Sequence, residues 1–130
     1  MKKLDALNQV ALFHRTFQHP VEDQPLIPAA DRCRLRIALL EEELKELKQA
    51  IADGDLVEVA DALCDLQYVL SGAVLEFGLG DQFVDLFEEV QRSNMSKTCA
   101  TLEEAEATQR YYKEERGFDS YIKKSGEVYL

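Results

Sequence analysis

The chain has 130 residues, of which 46% are hydrophobic and 31% are charged, and 25 acidic residues against 15 basic residues give a net charge of −10. This length and hydrophobicity predict a single folded domain and exclude a disordered chain. The acidic balance argues against a nucleic acid polymer as partner, no apolar run is long enough to span a membrane, and three widely spaced cysteines favour a reducing cytoplasm.

Helical periodicity dominates the first half of the chain. Residues 3–18 carry apolar side chains at helical spacings, and three prolines then enforce an extended loop. A second helix is predicted from residues 29–31 to 52, with Asp31 as its N-cap. Its apolar stripe consists of Ile37, Leu40, Leu44, Leu47 and Ile51. The helix stops at Gly54, and Asp55 then suits the N-cap of the next helix.

The second half continues with helices at about residues 56–77, 82–93 and 101–117. Thr101 and Glu104 fit a capping box at the start of the last helix. Weak alternation around Ser125 and Gly126 predicts a small terminal hairpin. We therefore predict an all-α fold with a four-helix-bundle-like core, an extra C-terminal helix and a small hairpin.

The third predicted helix contains three carboxylates although it is apolar nearly all round. At about 100° per residue, Glu58, Asp61 and Asp65 share one face and stack over two turns. A helix that is apolar all round is normally buried, so this stack is expected to line an internal cavity. Small neighbours such as Ala62 and Gly72 leave room there for a ligand.

On the second predicted helix, Glu43 and Glu46 lie within an extension of the apolar arc, and Glu42 lies at its edge. The tight turn between the two helices makes them antiparallel neighbours, so these glutamates can meet Glu58 and Asp61. Four converging carboxylates repel one another unless some are protonated or cations neutralise them. Oxygen ligands favour Mg²⁺ or Mn²⁺ over zinc.

Two other interpretations compete with a metal site. Either acidic pair alone is more often a solvated helix face, so the hypothesis depends on the combination of both pairs on adjacent helices. A di-iron bundle requires Glu-x-x-His motifs, whereas neither His14 nor His19 has an acid three residues before it. The sequence therefore argues against a di-iron site.

The stretches "EEELKE" at residues 41–46 and "EVAD" at residues 58–61 resemble the EExxE…ExxD signature of the all-α nucleoside triphosphate pyrophosphohydrolases, the MazG-like group. "VALFHRTFQHPVEDQP" at residues 10–25 and "VQRSNMSK" at residues 90–97 resemble two further segments of that group. The resemblance implies a helical bundle that works as a homodimer or a dimer of dimers. It also implies Mg²⁺-dependent hydrolysis between the α and β phosphates, which yields a monophosphate and pyrophosphate.

The resemblance also implies a role for each matching residue. The expected metal ligands are Glu43, Glu46, Glu58 and Asp61. The expected catalytic residues are Glu42 and Glu46, of which Glu42 either lies in a second shell or orients the attacking water, and Asp65 is expected in a second shell. A carboxylate that the metal does not fully occupy could accept the proton of that water. The expected phosphate contacts are Asn94 and Lys97. The candidates for packing on the base are Phe13, His14 and Phe17, for which a place in the core or a dimer interface is an equally good interpretation.

The leading hypothesis is a cytoplasmic nucleoside triphosphate pyrophosphohydrolase of nucleotide-pool housekeeping. Its core is predicted at residues 1–98, and residues 99–130 are predicted to form a helix and hairpin packed on the same domain. Within this class, a phosphoribosyl-ATP pyrophosphohydrolase is the alternative. The rival from another class is a non-catalytic helical module that dimerises or binds a partner, which would have no need of buried like charges.

Overall fold

The computed structural model describes residues 1–98, 101–117, 122, 124–125 and 128–129. Within these residues the elements are α1 (Ala6–Thr16), α2 (Ala30–Asp53), α3 (Leu56–Glu76), α4 (Phe83–Met95), α5 (Leu102–Arg116), β1 (Lys124–Ser125) and β2 (Val128–Tyr129). The two short strands pair antiparallel in the region of the predicted hairpin. The all-α class is confirmed. None of the helices in the described ranges is both long enough and apolar enough to cross a membrane.

The chain forms two compact units, Met1–Phe83 and Val84–Leu130. In the first unit α3 is the central helix, because it packs against both α1 and α2. The core of this unit joins α1, α3 and the loop between α1 and α2, and consists of Val10, Ala11 and Leu75 with Leu7 and Val21 packed against them. The four-helix arrangement and the boundary after residue 98 remain predictions.

The turn between α2 and α3 has the predicted chemistry. Gly54 adopts a left-handed conformation with φ of 66°, and its N–H donates to the carbonyl of Ile51 at 3.1 Å. The carboxylate of Asp55 accepts a hydrogen bond from the backbone N–H of Glu58 at 3.1 Å and so caps α3. Because the turn is this short, α2 and α3 are adjacent and antiparallel.

The predicted N-cap of α2 and both predicted ends of α1 are wrong, since α1 begins at Ala6 instead of residue 3. The N-cap of α2 is Ala29, which is extended directly after Pro28, so Asp31 lies in the first helical turn instead of capping it. There its carboxylate still interacts favourably with the helix dipole. Helix α1 ends at Thr16 instead of continuing to residue 18, because Gln18 takes a left-handed φ of 59° that breaks the helix.

The proline-rich loop covers the C-terminal end of α3. The backbone N–H of Glu22 donates to the carbonyl of Leu75, and that of Leu26 donates to the carbonyl of Phe77, both at 3.0 Å. These bonds satisfy acceptors that a helix end otherwise leaves without an intrahelical partner. Gly78 makes this approach possible, since a Cβ at that position would lie 1.9 Å from the carbonyl oxygen of Gln24.

Candidate metal centre

The short turn fixes which residues of α2 and α3 face each other. Glu43 precedes Gly54 by eleven residues and Asp65 follows it by eleven, so in an antiparallel pair the two carboxylates lie at the same height. By the same counting, Glu46 lies opposite Ala62, which is buried. A methyl group at that position keeps the facing surface small and leaves space for the glutamate.

Three carboxylates converge where α2 and α3 face each other, a line of contact that we call the seam. Glu43, Glu46 and Asp65 each offer one oxygen atom, and these three atoms lie within 4.8 Å of one another. Glu43 and Asp65 are half-buried, whereas Glu46 is exposed on the open side of the group. Three oxygens at this separation suit a hard divalent cation such as Mg²⁺ or Mn²⁺, which keeps water in its remaining positions.

Glu43 has the electrostatics expected of a metal ligand. Its Oε2 atom is buried and, among the described residues, has no hydrogen-bond partner. Burial, and after it the negative charges of Glu46 and Asp65, raise the pKa of Glu43 from 4.5 to about 7. An unpartnered buried carboxylate is costly, and near neutral pH it is stabilised either by a proton or by a cation. The residues present therefore fit a divalent metal ion.

The other acids of the predicted site lie outside this group of three. Glu42, Glu58 and Asp61 are exposed, and only Glu43 and Glu46 of the four expected ligands belong to the group. Asp65, which is predicted in a second shell, is the third member of the group. The reason is the register of α2 against α3. Asp65 is level with Glu43, whereas Asp61 lies one helical turn nearer the turn at Gly54.

An aromatic group lies next to the carboxylates. The ring of Phe13 packs 4.6 Å from that of Phe17, 5.9 Å from that of His19 and 5.7 Å from that of Tyr68, measured between centroids. Tyr68 follows Asp65 by three residues on α3, so the two side chains are neighbours on the helix surface. Tyr68 was not among the residues predicted to pack on the base, although its helical spacing from Asp65 was an available signal.

His14 differs from the two phenylalanines that were grouped with it. It is buried with 4% exposure, and its Nδ1 lies 2.8 Å from the carbonyl oxygen of Pro20. Since a carbonyl can only accept, Nδ1 carries the proton and Nε2 is left as an acceptor. Burial lowers the pKa of His14 although the bond to Pro20 opposes that shift. The imidazole is therefore neutral at neutral pH.

The predicted phosphate contacts lie in the second unit. Lys97 Nζ donates to the side-chain oxygen of Asn94 at 3.0 Å and lies 5.9 Å from the ring centroid of Tyr112. The two predicted residues are thus paired with each other. Their role toward phosphate remains a prediction.

The fold and this centre define the class of protein, which is an all-α protein with a group of acidic side chains suited to a divalent metal. A profile of the family described as phosphoribosyl-ATP pyrophosphohydrolase matches residues 10–94, which is more than half of the chain. The chain belongs to this family, within the MazG-like all-α superfamily, and the resemblance stated above is confirmed.

A second comparison finds a viral relative. The chain is 29% identical over 92 residues to an uncharacterised protein of Acanthamoeba polyphaga mimivirus. The matched segment covers 68% of this chain and 37% of the viral protein, so the chain spans little more than a third of that relative's length.

Proposed function

We propose that this protein is a Mg²⁺-dependent pyrophosphohydrolase that cleaves a nucleoside triphosphate between the α and β phosphates and releases a monophosphate and pyrophosphate. The observation that carries the proposal is the group formed by Glu43, Glu46 and Asp65, with a buried Glu43 oxygen that has no partner among the described residues. Membership of a pyrophosphohydrolase family supports the reaction class.

The acidic residues of this site are proposed to have two tasks, which are to bind the metal and to activate the attacking water. Glu43, Glu46 and Asp65 would hold the divalent ion, which neutralises phosphate charge and polarises the bond to be broken. Glu46 is the exposed member, so one of its oxygens is available to accept the proton of the attacking water. Glu42 lies on the preceding helical turn, where its exposed carboxylate is proposed to orient that water.

Glu58 and Asp61 are proposed as further ligands. They lie two turns and one turn before Asp65 on the same face of α3, and both are exposed. In this position they extend the negatively charged surface toward the turn at Gly54 between α2 and α3. We propose that they contribute to a second ion that accompanies the triphosphate, as in other two-metal phosphate sites.

The proposed contacts to the rest of the substrate follow the sequence prediction. Lys97, which Asn94 holds at 3.0 Å, is proposed to bind phosphate. Phe13 and Phe17 are proposed to pack on the base, because both rings are substantially exposed. His14, whose ring lies 6.4 Å from that of Phe13, is buried, so we propose that it supports this surface without contacting the base.

A homo-oligomer, either a dimer or a dimer of dimers, is proposed as the working state. The apolar stripe of α2 is poorly covered in the single chain, with Ile37 56% exposed and Ile51 62% exposed. Leu56 and Val57 at the start of α3 are more exposed still. Contiguous apolar surface of this kind is typical of protein interfaces. Light scattering across a concentration series tests the oligomer, and a monomer throughout would contradict it.

The test of the activity is pyrophosphate release from a panel of NTPs, dNTPs and phosphoribosyl-ATP, each with Mg²⁺, Mn²⁺ or EDTA, and with products identified. The expected result is a monophosphate and pyrophosphate that disappear with EDTA and in Glu43→Gln. The matched control is Glu41→Gln, because Glu41 is an exposed acid on the same helix. Preferential turnover of phosphoribosyl-ATP would select the activity in the family's name. Failure of a folded protein to turn over any nucleotide or bind a metal would favour the non-catalytic helical module.

A further inference from the structure

A second charged cluster in the first unit takes no part in the proposed reaction. Glu76 of α3 is 1% exposed, and both of its oxygens accept hydrogen bonds from arginines of α2. The Nε of Arg32 lies 2.6 Å from Oε1, and the Nε of Arg36 donates to Oε2. Burial alone would raise the pKa of Glu76, but the two guanidinium groups hold it below its ordinary value. Arg36 is itself buried, at 6% exposure.

Gly72 provides the space through which Arg36 reaches this carboxylate. A Cβ at that position would lie 2.9 Å from Nη1 of Arg36 and 3.0 Å from Nε2 of His14. The guanidinium of α2 and the imidazole of α1 therefore both rest against the bare backbone of α3. The ion pair is enclosed by three helices at a single position, so it has little freedom to move.

The ion pair lies on the same seam as the carboxylate group. Arg36 precedes Glu43 by seven residues and Glu76 follows Asp65 by eleven, and at 100° per residue each separation returns to within about 20° of the same face. The distance from Arg36 to Glu43 along α2 is about 10 Å, from seven residues at 1.5 Å each. The turn at Gly54 fixes one end of the seam, and the ion pair fixes the other.

A displacement of α2 along α3 would disturb both features together. Apolar contacts are non-directional and tolerate sliding, and α2 and α3 carry several alanines and leucines that offer little resistance. Arg32 and Arg36 lie one turn apart, so a slide of α2 by one turn, about 5.4 Å, would leave Glu76 with one guanidinium partner instead of two and would move Glu43 away from Asp65. The arrangement that satisfies Glu76 is the one that assembles the three oxygens.

We propose that Arg36 is a positioning residue, whose ion pair with Glu76 across Gly72 sets the register of α2 on α3 that places Glu43 opposite Asp65. This inference rests on the metal centre assigned under the proposed function. In this arrangement the apolar residues hold α2 and α3 together, and the ion pair selects one alignment of the two helices. In coiled coils a single buried polar residue selects register in this way, at a cost in stability.

The decisive experiment uses the full chain with Arg36→Met and Glu76→Met combined. Replacing the buried members, Arg36 and Glu76, with apolar groups leaves stability little changed, because Arg32 is 32% exposed at its side chain and can turn to solvent, so a melting temperature within about 3 °C of the wild type is expected. Mn²⁺ affinity, measured by titration calorimetry, is expected to fall about tenfold or more, as when other supports of a metal ligand are removed. Arg34→Met is the control, because Arg34 is exposed on the same helix.

A second variant keeps all the charges and covers the case in which the double variant does not fold. Gly72→Ala pushes the guanidinium of Arg36 from its place, and it is also expected to weaken Mn²⁺ binding. Wild-type Mn²⁺ affinity in either folded variant would overturn the role of Arg36, while the metal centre would stand. A wild-type protein that binds no Mn²⁺ would instead overturn the metal centre, and the positioning role with it.

Discussion

The substitution Glu43→Gln is expected to have opposite effects on stability without and with metal. In the wild type, the pKa of Glu43 is raised from 4.5 to about 7 by burial and by its acidic neighbours. A raised pKa means that the folded state holds the proton more tightly than the unfolded state. The stability contribution is therefore fully present below about pH 4.5, and it is lost as the pH rises through about 7.

The size of the effect follows from the shift. A change from 4.5 to about 7, at 1.36 kcal/mol per pKa unit, corresponds to about 3 kcal/mol. Because Glu43 is only half-buried, solvent relieves part of this cost, and about 2 kcal/mol is the figure that we expect. In EDTA at pH 8, Glu43→Gln should therefore be more stable than the wild type by about 2 kcal/mol. At pH 4 the two proteins should be equal.

Mg²⁺ should reverse the order. An ion that binds only the folded state stabilises it by RT ln(1 + [L]/Kd), about 2.7 kcal/mol when the ion is present at one hundred times its Kd. The wild type gains this stability and Glu43→Gln does not, since an amide is a poor ligand in place of a carboxylate. Urea unfolding at pH 4 and pH 8, with EDTA or Mg²⁺, measures all the differences. Equal stabilisation of both proteins by Mg²⁺, or a Glu43→Gln variant no more stable than the wild type in EDTA at pH 8, would refute the reasoning.

Three further substitutions test individual contacts. Gly78→Ala should destabilise the fold by more than about 2 kcal/mol in thermal unfolding, because the new methyl group meets the carbonyl of Gln24. Gly54 has a similar φ but open space around it, so Gly54→Ala should cost only about 1 kcal/mol. Asp55→Ala should cost about 1 kcal/mol through the lost cap of α3, and an unchanged urea midpoint would contradict that role. Tyr68→Ala should raise the KM for a nucleotide several-fold by removing an aromatic neighbour of Phe13, while Tyr68→Phe should retain it, and equal KM values would exclude Tyr68 from base binding.

Much of the first unit could be predicted because its signals are local. The turn at Gly54, the cap at Asp55 and the extent of α3 depend on residues adjacent in sequence, and all were predicted within a residue. The inward position of Glu43 followed from helical periodicity. These features need no knowledge of the partner helix beyond the fact that a short turn makes it antiparallel.

The remaining features depend on contacts between distant residues. The assignment of Asp65 to the oxygen group requires the register of two helices, and a motif written as ExxD directs attention to Glu58 and Asp61 instead. Arg36 and Glu76 are forty residues apart and look like ordinary surface charges in an acidic helical chain. Three helices together bury Arg36 and Glu76, so the periodic pattern of any one helix does not reveal their burial.

The cover on the end of α3 has a consequence for local motion. The amides of Glu22 and Leu26 lie in a loop with three prolines, yet both donate to the last turns of a central helix. Their hydrogens can exchange with solvent only when the loop lifts away, which exposes the carbonyls of Leu75 and Phe77 at the same moment. The amides of Glu22 and Leu26 are therefore expected to exchange more slowly than the other amides of this loop, although they lie in a stretch without regular secondary structure.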